Sequence, residues 1–136
     1  MKTTNYYDTF IEVADDCPVT RAEIPPRKGK DKTVANLQYD FLHAAPYQHT
    51  SDDVLFHVHA IKNNIASRNA AAARDAFFSK GQPCFRSSPL TKRYGWGVHS
   101  DSKGRIALYA MDSKEYAMFA RDKHVKHLKA MRSKRA

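Results

Sequence analysis

Two short runs, Tyr94-Gly95-Trp96-Gly97-Val98-His99 and Arg105-Ile106-Ala107-Leu108-Tyr109-Ala110, face each other across Asp101-Ser102-Lys103-Gly104. No other feature constrains the fold as strongly. Side chains alternate along a strand, so Tyr94, Trp96 and Val98 share one face while the opposite face bears two glycines. Gly104 supplies the positive φ that a tight hairpin turn needs. The glycine face invites close packing by a helix, another backbone or a ligand.

The rest of the chain is read around this hairpin. Residues 6–13, Tyr6-Tyr7-Asp8-Thr9-Phe10-Ile11-Glu12-Val13, are aromatic and β-branched and read as a strand, closed by the turn cluster Asp15-Asp16-Cys17-Pro18. A loop with Pro25-Pro26 and a charged run fills 18–32. Val34, Leu37, Phe41 and Leu42 then fall at helical spacing, with Thr33 as cap and Pro46 as stop. Residues 54–61, Val-Leu-Phe-His-Val-His-Ala-Ile, are short, β-branched and followed by Asn63-Asn64, which predicts another strand. The alanine-rich 66–80, ending at Gly81, predicts a helix. Asp112-Ser113-Lys114-Glu115 resembles a capping box, Asp at the N-cap and Glu at N3, for a last helix. That helix is expected to run on through Val125, Leu128 and Met131, with Asp122 as the place for a break. The expected class is α+β: a mostly antiparallel sheet of about four strands with three helices packed mainly on one face. Residues 1–120 are expected to form one domain and 121–136 a basic helical extension or tail.

The length, 136 residues, with 42% hydrophobic and 27% charged residues, suits one globular core. No stretch approaches the roughly 18 apolar residues of a membrane span, so no membrane partner is expected. The N-terminal residues hold no signal-peptide core, and the cytoplasm is the expected location. The two cysteines, Cys17 and Cys84, lack metal-type spacing and read as reduced thiols. Asp15 and Asp16 beside Cys17 disfavour a thiolate nucleophile there. The net charge of +9 is concentrated: residues 121–136 hold seven Lys/Arg against the single acid Asp122.

Several stretches carry a resemblance: Thr4-Asn5-Tyr6-Tyr7-Asp8-Thr9-Phe10-Ile11-Glu12-Val13-Ala14-Asp15-Asp16-Cys17-Pro18, Lys32-Thr33-Val34-Ala35-Asn36-Leu37-Gln38, Thr50-Ser51-Asp52-Asp53-Val54 and Lys92-Arg93-Tyr94-Gly95-Trp96-Gly97-Val98-His99. Together they resemble a family of small bacterial proteins known only as a domain of unknown function. The resemblance covers about residues 3–120 and leaves the basic tail outside. It implies a bacterial single-domain protein and no particular chemistry.

Three sets of residues are chemically suggestive. His57 and His59, placed on a strand, would share a face and grip one metal with a third ligand from His43, His99 or a carboxylate. The bland alternative is a pair of half-exposed rings on a sheet face. Arg86, Ser87, Lys92, Arg93 and Trp96 combine bidentate cations, a hydroxyl and a stacking ring, a mixture suited to a small anionic ligand such as a nucleotide. Against that stands a plain loop leading into core aromatics. Lys123, Lys126, Lys129 and Arg132, three apart on a helix, would draw a basic stripe for nucleic acid or another polyanion; solvated charges at a helix C-terminus are the alternative. No phosphate loop or hydrolase motif is present, and no cofactor is expected. The leading expectation is a binding or accessory domain with an anionic partner. The rivals are a small enzyme or metal protein using His57, His59 and His99, and a structural protein whose aromatic hairpin forms a homodimer.

Overall fold

The computed structural model describes residues 1–134. Strands β1 (Thr9–Glu12), β2 (Trp96–Ser100), β3 (Ile106–Ala110) and β4 (Lys126–Lys129) form one sheet in the order β3-β2-β1-β4. The β1–β2 and β2–β3 pairs are antiparallel, whereas β4 runs parallel to β1. Five helices accompany them: α1 (Val34–Ala44), α2 (Ser51–Lys62), α3 (Ala70–Phe77), α4 (Pro89–Lys92) and α5 (Lys114–Arg121). The class is α+β as expected, with a mixed sheet and five helices where three were expected. Among the described residues no helix is long and apolar enough to cross a membrane.

The hairpin forms as its sequence demands. Gly104 adopts φ +80°, and the Asp101 carboxylate accepts the backbone N–H groups of Lys103 and Arg105, both at 2.9 Å. Helix α1 begins at the expected cap: Thr33 and Asn36 bond reciprocally, the Thr33 hydroxyl accepting from the Asn36 N–H at 3.2 Å.

Two expected elements are corrected. Residues 54–61 lie inside helix α2 and form no strand. Thr50 accepts from the Asp53 N–H at 3.2 Å while the Asp53 carboxylate accepts from the Thr50 N–H at 3.0 Å. This capping box, with Asp52 and Asp53 in the first turn where the helix dipole favours anions, opposes the local β-branching. The second correction concerns the C-terminus. Helix α5 is capped by Ser113, not Asp112, and stops at Arg121. Asp122 turns extended and its carboxylate holds the His124 N–H at 2.8 Å. The chain then pairs as β4 along β1, where an open edge would otherwise leave backbone groups unpaired.

Alternation along the strands sorts two unlike faces. Ile11, Val98 and Ile106 form the main core with Leu42 of α1, Val54 of α2, and Phe85. The opposite face carries Phe10, Gly97, His99 and Tyr109, and α5 packs on it. A Cβ on Gly97 would lie 2.6 Å from the Tyr116 ring and 2.8 Å from Phe10, so the glycine face expected to take close packing takes the Tyr116 ring of α5.

Candidate functional site

Three aromatic residues from distant positions meet on the face that α5 covers. His99 and Tyr109 reach it by strand alternation on β2 and β3, Tyr109 lying opposite Gly97. Tyr47 comes from the α1–α2 connection, where its N–H bonds the Ile106 carbonyl at 2.9 Å and its backbone is left-handed at φ +58°. The Tyr47 hydroxyl stands 2.8 Å from His99 Nδ1 and 2.8 Å from the Tyr109 hydroxyl. Phe119 of α5 stacks on the His99 ring, centroids 4.2 Å apart, and tilts against Tyr109 at 4.9 Å.

Beyond Tyr109 and Phe119 opens a hollow of about 490 Å3, lined also by Glu115, Met118, Arg121 and Asp122. Glu115, Met118, Phe119 and Asp122 are spaced i, i+3, i+4 and i+7, so one stripe at the α5 surface forms a wall. The hydroxyl chain therefore runs from a half-buried imidazole to a ligand-sized space.

The chain has two internally consistent states. Tyr47 has one hydroxyl proton for two bonds. If it donates to His99 Nδ1, Tyr109 donates to Tyr47 and keeps a free oxygen lone pair. If instead His99 Nδ1–H donates to Tyr47, Tyr47 donates to Tyr109 and the Tyr109 proton is left free. Burial, followed by the bond to Tyr109, pushes the Tyr47 hydroxyl pKa far up, so Tyr47 stays un-ionised. Burial also holds His99 below its ordinary 6.5, outweighing Asp101, Asp8 and Asp122, which favour the imidazolium. Asp8 and Tyr47 are two of the three non-glycine residues with positive φ among those described, the third being Asn64. Such backbone strain costs on the order of 1–3 kcal/mol each and tends to collect at working sites.

The depressed histidines carry a pH signature. His57 is also held below 6.5, by burial and then by its neighbour His49. Unfolded, both rings take up a proton near pH 6.5; folded, they resist until the pH is lower. Acidification through this window therefore favours the unfolded chain, because it binds more protons. Stability by urea denaturation should be flat above about pH 7.5 and fall between about pH 7 and 5, before the carboxylates begin to titrate. A His57→Gln, His99→Gln double variant should flatten that slope. A wild-type slope of zero across the window would contradict the depressed values.

The residues singled out from sequence do not converge. On α2, positions 57 and 59 are about 200° apart, so the shared face required for a metal grip is lost. His57 stands edge-on to Phe41 at 3.9 Å, and His59 packs on Phe77 at 4.3 Å. His43 stacks on Tyr39, and His99 belongs to the hydroxyl chain. Among the described residues no three His, Cys, Asp or Glu side chains are grouped to hold a metal ion.

The ligand set is similarly divided. Arg86 Nε donates to the Lys129 carbonyl and its own carbonyl accepts the Met131 N–H, both at 2.8 Å, which shields the outer edge of β4. The Ser87 hydroxyl lies 3.1 Å from Met131 Sδ. Trp96 donates through Nε1 to the Glu23 carbonyl at 2.8 Å and packs on Tyr39. Lys92 is half-buried at the end of α4 and Arg93 is exposed just after it.

The helical stripe of lysines is absent as well. Lys126 and Lys129 sit on a strand, where an odd spacing puts them on opposite faces. Lys129 pairs with Asp15 at 2.8 Å, and the Asp16 carboxylate accepts the Ser133 and Lys134 N–H groups. Lys123 and Arg132 are exposed, in the segments before and after β4. Arg135, the last cation of the expected tail, lies outside the described residues.

Of the hollow and its chain, the sequence singled out only His99 as a candidate site residue. Tyr109 and Phe119 were legible as alternate-strand and helix-stripe residues, but nothing local marks Tyr47.

No curated protein and no solved structure matches the chain. A family model described as a family of unknown function, DUF6157, matches residues 1–136 and so takes in β4 and the basic C-terminal segment together with the quoted stretches. The chain belongs to that family of unknown function.

Proposed function

We propose that the protein is a small-ligand binding module whose site is the hollow between Tyr109 and α5. The observation that carries this reading is the His99–Tyr47–Tyr109 chain, half-buried at the imidazole and ending on a residue that lines the hollow. A clasp serving stability alone would not need to end on a residue that lines an open cavity. The ligand that fits has an apolar or aromatic body against Met118, Phe119 and Tyr109, and one polar group facing the Tyr109 hydroxyl.

Screening aromatic fragments by saturation-transfer NMR, with hits mapped on amide shifts, tests the proposal. Perturbations are expected at residues 47, 99, 109 and 115–122. Tyr109→Phe should weaken hits about 5–10-fold, the scale of one hydrogen bond, and Phe119→Ala should abolish them. Hits that map elsewhere, or that ignore both substitutions, would overturn it.

An anionic partner has a different support: Lys123, Lys126 and Arg132 are exposed and form no ion pair among the described residues. We propose a polyanion contact there as a separate, second reading. Deleting the segment is the wrong test, because β4 belongs to the sheet. The triple charge reversal Lys123→Glu, Lys126→Glu, Arg132→Glu should elute from heparin at clearly lower salt; unchanged elution removes the segment from consideration.

A further inference from the structure

Resting on the small-ligand reading, we infer that the hollow selects an organic cation: a compact amine carrying an aromatic or alkyl body. Four features of the site agree. Phe119 and Tyr109 both line it, and aromatic rings attract a cation through their quadrupoles. Met118, 64% exposed, supplies a soft apolar wall. Glu115 and Asp122 both line the space, and neither forms an ion pair among the described residues, while Arg121 is the single cation in the lining. The C-terminal end of α5, the negative end of its dipole, also borders the space at Arg121 and Asp122. In a chain of net charge +9 this is a local reversal of sign. A carboxylate or phosphate entering there would meet two carboxylates and a helix C-terminus.

The hydroxyl chain has a matching state. An ammonium donates its protons and needs acceptors. With Tyr109 donating to Tyr47 and Tyr47 donating to His99 Nδ1, the Tyr109 oxygen keeps a lone pair free to accept from an ammonium. His99 is then neutral, with its proton on Nε2. An anion requires the opposite arrangement, with the Tyr109 proton free and Nδ1 protonated. Ligand charge and histidine tautomer are thereby linked through two hydrogen bonds.

Three probes of equal size separate the possibilities: benzylamine, benzyl alcohol and benzoate, titrated at pH 7.5 and followed by amide shifts. Benzylamine should perturb residues 109 and 115–122, with benzoate at least 10-fold weaker and the alcohol between them. Glu115→Gln with Asp122→Asn preserves side-chain shape and should reduce benzylamine binding about 10-fold while leaving benzyl alcohol unchanged. Long-range imidazole 15N spectra should show Nδ1 of His99 unprotonated in the benzylamine complex. Benzoate or the alcohol binding the hollow as well as benzylamine overturns the cation inference and leaves the pocket reading intact. Silence of all three probes at the hollow, with fragment hits absent there too, defeats both.

Discussion

Phe10→Ala should lower the free energy of unfolding by about 3–5 kcal/mol, the range for deleting a fully buried ring. Phe10 is 0% exposed and is the ring by which α5 grips the sheet. Tyr116 meets it edge-on at 5.0 Å and Phe119 stacks on it at 5.3 Å. Its neighbour Gly97 has no side chain that can swing into the space, so the cavity cannot collapse cheaply. A domain of this size has a net stability of about 5–15 kcal/mol, so the loss is a large fraction of the whole. Urea denaturation gives the magnitude, and amide exchange gives the location: α5 should open before the helices on the other face. Because α5 is one wall of the hollow, fragment binding should vanish even under conditions where the variant stays folded. A loss below about 1 kcal/mol would show that α5 is anchored elsewhere.

Asp52→Ala is expected to cost about 3 kcal/mol, from leaving several donors to a buried charge without a partner. Asp52 is 1% exposed, yet no cation pairs with it among the described residues. Its Oδ1 accepts the Thr4 N–H and the Thr4 hydroxyl, and its Oδ2 the Thr3 hydroxyl, all at 2.7 Å. In return, the Asp52 N–H donates to the Asn5 side-chain oxygen at 2.9 Å. As the second residue of α2, the carboxylate also lies at the positive end of that helix. The stretches Thr4-Asn5 and Ser51-Asp52, both part of the family-like pattern, thus form a joint that fastens the N-terminus to α2. Asp52→Asn keeps the shape and one acceptor oxygen and should cost roughly half as much. Thermal melting with limited proteolysis reads both effects, since residues 1–5 should become cleavable in the alanine variant. Equal melting temperatures for wild type and alanine variant would refute the joint.

Most of the family-like stretches turn out to carry structural joints. Thr33 and Asn36 cap α1, and Asn36 reaches back to the Pro25 carbonyl at 2.8 Å. Gln38 receives the Ser88 hydroxyl at 2.6 Å inside the core. In the Lys92–His99 stretch only His99 enters the candidate site; Gly97 makes room for Tyr116, and Trp96 is tied to the Glu23 carbonyl. The aromatic and basic richness of that stretch invited a ligand reading, but its rings belong to packing.

What the sequence alone determined lies within reach of about ten residues: the hairpin with its Gly104 turn, the capped stripe of α1 and the alanine-rich α3. Turn φ, capping hydrogen bonds and apolar period are local, so composition and order encode them directly. The α2 segment shows the limit. The Thr50–Asp53 capping box and the helical spacing of Val54, Val58 and Ile61 were both present, but β-branching pointed the other way. Burial of Val54 and Val58 against the rest of the protein decided between them. Only the tertiary structure could place β4 on β1, where Lys126 bonds the Asp8 carbonyl from the far end of the chain. The candidate site is equally non-local, since Tyr47 and His99 stand 52 positions apart. Such pairings arise because open strand edges and apolar faces must be covered somewhere, and which segment covers them depends on every other contact at once.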